Sequence, residues 1–77
     1  MIILEQGGVY WNAWKDLFNF HKSYAGIKQT DEFWSRVYAE VVYLEHKYQE
    51  TKAAEFVSGV LTQILLELER QGQQDMN

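Results

Sequence analysis

The chain contains no cysteine and no proline. Without cysteine, neither disulfides nor cysteine-ligated zinc can staple a domain of 77 residues. Chains this short have little core and commonly lean on a staple or on another chain, so association is the common solution left open. Cations are scarce too: seven Lys and Arg stand against eleven Asp and Glu, for a net charge of −4. No two cations are adjacent, so the basic stretch that meets phosphates is missing, and nucleic acid is an unlikely partner on this reading. The acidity is also too mild and mixed for a DNA mimic. Long apolar runs are absent. Met1–Leu4 and Ile64–Leu66 fall far short of a membrane span, and Met1–Gly8 lacks the basic start of a signal peptide. The expectation is a soluble cytoplasmic protein with no membrane contact.

What the chain has in quantity is aromatic rings, 16% of its residues. Their spacing is helical. Tyr10, Ala13, Leu17, Phe20 and Tyr24 step 3-4-3-4, and Trp11, Trp14 and Phe18 form a second stripe beside them. At 100° per residue the two stripes cover roughly half the helix, more than one packed neighbour needs. This predicts a helix over residues 9–24, ended by Gly26 with Lys22 in its last turn. Thr30 is a good N-cap, and Asp31 and Glu32 follow where negative charge is favoured. A second helix over 31–49 carries Trp34, Val37, Val41, Leu44 and Tyr48, flanked by Phe33, Tyr38 and Val42. A third over 52–70 carries Ala54, Val57, Leu61, Ile64 and Leu68, with Gly72 as its stop.

No Gly or Pro separates the second and third helices, so one long rod is the alternative. Phase argues against it, because the two apolar faces would sit roughly 150° apart on a single rod. A break at Gln49–Lys52, with Thr51 as N-cap, lets both faces share one core. A rod would make a dimer nearly obligatory. The fold expected is therefore all-α: an antiparallel three-helix bundle over residues 9–70, probable as a homodimer. A short extended arm over 1–8 precedes it and a polar, disordered tail over 71–77 follows.

Residues that could carry chemistry read as surface. A ferritin-like metal helix needs Glu three residues before His, yet Phe18 precedes His21 and Tyr43 precedes His46. Both histidines are expected to face solvent, with no metal and no cofactor. Asp16, Glu40, Glu45, Glu55 and Glu67 look like solvated charge, and Ser23, Ser35 and Ser58 lie in no nucleophile motif. Gly7-Gly8 lacks the lysine of a phosphate loop. No catalytic residue is expected and the chain reads as non-enzymatic.

Most rings belong to the core. Trp11, Trp14, Phe18, Trp34 and Tyr43 lie at its rim or off its phase, and these are the candidates for a partner interface, where Trp and Tyr are favoured anchors. The order Tyr10-Trp11-x-x-Trp14-x-x-x-Phe18, Asp31-Glu32-Phe33-Trp34, Lys47-Tyr48 and Leu66-Glu67-Leu68-Glu69-Arg70 resembles short uncharacterised α-helical proteins of Gram-positive prophages and mobile elements. That resemblance implies a small accessory protein acting through contact with another protein of unidentified kind. The rival readings are a nucleic-acid-associated regulator acting as a dimer, and a ligand binder or enzyme with a pocket among the aromatics.

Overall fold

Thr30 sets the clearest helix start. Its Oγ1 accepts from the Phe33 N–H at 3.1 Å, and Asp31 and Glu32 fill the first turn. In the computed structural model, which describes residues 8–75, this cap opens α2 (Asp31–Tyr48). It is preceded by α1 (Val9–Tyr24) and followed by α3 (Ala54–Asp75). The expected arm over 1–8 lies outside the described residues except for Gly8.

Each boundary has a local cause. α1 ends where Ala25 becomes extended and Gly26 takes φ +78°, a left-handed conformation that suits glycine. Its start at Gly8 has no capping side chain. The chain does break between α2 and α3, without Gly or Pro. Thr51 sits in the break, where its hydroxyl donates to the Tyr48 carbonyl at 2.8 Å and accepts from the Ala53 N–H at 3.2 Å. Two tight backbone turns complete it, Thr51 N–H to Tyr48 O and Ala54 N–H to Thr51 O. The side chain expected to cap the third helix thus anchors the link, and the helix begins three residues later.

The other end of α3 corrects the sequence reading. Gly72 does not stop the helix, which runs on to Asp75, so the first part of the expected tail is helical. The reason is a close approach. The Gln29 side chain, from the α1–α2 loop, donates to the Leu68 carbonyl at 2.5 Å. A Cβ at Gly72 would lie 2.0 Å from Gln29 Oε1. Glycine here makes room for a neighbour, at the usual cost of about 1 kcal/mol in helix propensity.

All three helices pack on one another around a single core. Ala13, Leu17 and Phe20 supply it from α1. Phe33, Val37, Val41, Leu44 and Tyr48 come from α2, and Val57, Leu61, Ile64 and Leu68 from α3, with Ala53 just before it. Leu17, Phe20, Val37, Val41, Leu44 and Ile64 are where the periodicity put them. One neighbouring pair is exchanged: Phe33 is buried, whereas Trp34, which the 3-4-3-4 series placed inside, is half-buried at the edge. No buried residue among those described is polar or charged. Among the described residues no helix is long and apolar enough to cross a membrane.

Candidate partner interface

The phase of α1 gives it two flanks beside its core stripe. One bears Asp16 and faces α2. Asp16 Oδ2 accepts from Lys47 Nζ at 2.8 Å and from the Tyr48 hydroxyl at 2.6 Å. Burial alone would raise the Asp16 carboxyl, but these two bonds and the charges of Lys47 and Lys15 outweigh it and hold it below its ordinary value. The same contacts raise Lys47, chiefly through the bond to Asp16. Tyr48 is raised by burial first and by Asp16 second. At the last residue of α1 the pattern repeats in milder form. The Tyr24 hydroxyl donates to Glu40 at 3.0 Å, and burial and that bond raise it. This seam is closed: its polar groups are paired with each other.

The opposite flank faces α3 and is aromatic. The Tyr10 ring meets Phe56 edge-on at 5.9 Å, and Trp14 lies tilted on Phe56 at 5.0 Å. The Tyr10 hydroxyl donates to the Lys52 carbonyl, which ties the start of α1 to the link before α3. Beyond these contacts the rings spill outward. Trp14 is 48% exposed and Phe18 65%. Trp11 is half-buried but does not pack against the core. The three stripe residues therefore share one flank, partly seated on Phe56 and partly bare.

The remaining candidates are not brought there. Trp34 lies on α2, edge-on to Phe33 at 5.1 Å and tilted against Tyr38 at 5.8 Å. It borders a second apolar strip that the sequence reading did not single out. Tyr38 is 49% exposed and Val42 67%. The i, i+4 series Trp34–Tyr38–Val42 was a usable signal, but the stronger 3-4-3-4 series absorbed its first member. Tyr43 is 60% exposed and stands alone, pointing away from the core between the two sides of α2. Nothing joins it to the α1 flank.

Other chemistry finds less support in the geometry. An open cleft of about 330 Å³ lies between the end of α1 and the start of α2, lined by Tyr24, Lys28, Glu32, Phe33 and Arg36 among others. Arg36 there is paired with Glu32 at 2.7 Å. A second, of about 420 Å³, includes Asn12, Lys15, Asp16, Lys47 and Tyr48. Its carboxylate is already engaged through Oδ2 by Lys47 and Tyr48. Among the described residues no three His, Asp or Glu converge as metal ligands. His46 is exposed as expected. His21 is not: it is half-buried on the α3 side of α1, with Nε2 buried and unpartnered among the described residues. Comparison with protein-family models, curated proteins and solved structures finds no match for this chain.

Proposed function

We propose that this chain is a small non-enzymatic interaction module. It folds as an antiparallel three-helix bundle and docks a second polypeptide chain on exposed aromatic helix surface, associating with itself as one such partner. The antiparallel path is supported by two contacts: Asp16 in the middle of α1 meets Lys47 at the end of α2, whereas Tyr24 at the end of α1 meets Glu40 in the middle of α2. The docking role is carried by one observation. Trp14 and Phe18 lie side by side on the outer flank of α1 with half to two-thirds of their surface in water. A fully covered aromatic residue buries about 150–250 Å², of which these two still have about half to two-thirds to offer, and aromatic residues anchor protein interfaces far out of proportion to their number. Their position costs the fold little, because the core is complete without them.

A photoreactive amino acid at position 18, introduced into the chain in its native cells, tests the reading. A control at the exposed polar position Asn12 reports background. The proposal expects a discrete protein adduct from position 18 above the control. Equal labelling from both positions would contradict it.

A further inference from the structure

The two apolar surfaces differ in the charge that frames them. On α1, Lys22 follows Phe18 by four residues and lies beside it at the edge of the α3-facing flank; Lys15 follows Trp11 by four but also lines the Asp16 cleft, so it stands between the two flanks. Lys52 stands at the Tyr10 end of the same flank, its ammonium 5.9 Å from the Tyr10 ring centre. All three are exposed, and none has a carboxylate partner among the described residues. Among the described residues Glu67 lies near His21 on this flank, and Arg70 already holds it. The flank is thus aromatic and basic in a chain of net charge −4.

The α2–α3 side is the reverse. Its strip is Trp34, Tyr38 and Val42. Glu45 lies beside Val42 in one shallow cleft and beside Glu55 in the next. Glu69 follows the half-buried Leu65 by four residues on the same side of α3. No lysine or arginine lines either cleft. This side is aromatic and acidic.

From this charge complementarity we infer that the acidic α2–α3 side of one copy docks on the basic α1–α3 flank of a second, joining copies head to tail. The inference rests on the interaction-module reading and names the partner as this chain itself. A two-fold pairing of either surface would set lysine against lysine or glutamate against glutamate, which is unfavourable. Pairing unlike surfaces puts rings on rings and ammonium groups against carboxylates. Such a contact is heterologous: the second copy still offers a free acidic side, so assembly continues past two unless the rotation closes a ring. Single-stranded nucleic acid is the less suited occupant. Trp14 already stacks on Phe56, and the net negative charge of the chain opposes a polyanion.

The test uses two charge-reversed full-length chains, K22E/K52E and E45K/E55K, studied by light scattering over a concentration series. The affected side chains are exposed, and circular dichroism confirms that each variant is folded. Wild type is expected to grow in mass beyond a dimer. Each variant alone is expected to associate at least about tenfold more weakly, and the equimolar mixture to recover association because unlike surfaces are restored. Several results would overturn the inference. These are a wild-type plateau at the dimer with variants unaffected, a mixture that stays monomeric, or a strict monomer that binds a single-stranded oligonucleotide through Lys22 and Lys52. A monomeric chain that still labels another protein from position 18 loses this inference and keeps the module reading. A chain that labels nothing loses both.

Discussion

The two sides of α1 are braced by different chemistry. Toward α2, Asp16 is held by Lys47 and Tyr48, and Tyr24 reaches Glu40. Asp16, Lys47, Tyr48, Tyr24 and Glu40 each find a partner inside the chain. Toward α3, the contacts are rings on rings, and among the described residues Trp14 and Phe18 keep about half or more of their surface exposed. Charged hydrogen bonds are satisfied by one fixed geometry and leave nothing to offer. An aromatic strip packs on what is beneath it and can still accept a second layer. The difference separates the part of α1 that holds the fold from the part available to another molecule.

Substitutions can break that separation, and the largest effect belongs to neither seam. Phe20 is buried in the α1 core stripe. Phe20→Ala is expected to cost about 3–5 kcal/mol, a large share of a small domain's stability, measured by urea unfolding. Next comes the polar seam. Asp16→Ala removes the acceptor of both Lys47 and Tyr48. Since the pair is partly exposed, a loss of about 1–2 kcal/mol is expected, below that of a fully buried charged bond. Self-association at matched folded concentration should be unchanged.

The same seam predicts a pH dependence. Asp16 titrates lower in the folded chain than its ordinary value of 3.8. A group whose folded value is depressed stabilises the fold fully above the unfolded value, and that contribution fades as pH falls through the folded one. Unfolding free energy should therefore drop below about pH 3.8 in wild type, and the drop should be shallower in Asp16→Asn. Parallel curves for the two proteins would remove Asp16 as the cause.

Smaller still is the change at the far end of the bundle. Gly72→Ala gains about 1 kcal/mol of helix propensity but displaces the flexible Gln29 amide from the Leu68 carbonyl. The two terms offset, and the net change should stay within about 1 kcal/mol by the same urea measurement. A larger loss would mean that the Gln29 contact matters more than its single hydrogen bond.

Much of the fold is readable without coordinates because local signals and periodicity agree. Thr30, Gly26 and the 3-4-3-4 stripes each act within a turn or two of chain. The misreadings share a cause. Phe33 and Trp34 sit at the two edges of the buried arc of α2, and periodicity alone does not choose between edges. The side on which a neighbouring helix lies decides. Gly72 reads as a stop by itself and becomes a gap only when Gln29 is brought beside it. The candidate surface was half legible. Trp11, Trp14 and Phe18 do share a flank. The framing of that flank by Lys22 and Lys52, and of the α2 strip by acids, depends on which helices meet. Scattered cations therefore looked patternless along the chain.

The smallest expected effect on stability is paired with the largest on association. Phe18 is the most exposed ring of the α1 flank, and Phe18→Ser should change unfolding free energy by no more than about 0.5 kcal/mol. The direct test is to measure that free energy and the concentration-dependent mass of the same Phe18→Ser sample. The account predicts unchanged stability and lost self-association. Lost stability would make Phe18 a structural residue, and intact association with intact stability would leave the aromatic flank without the role assigned to it.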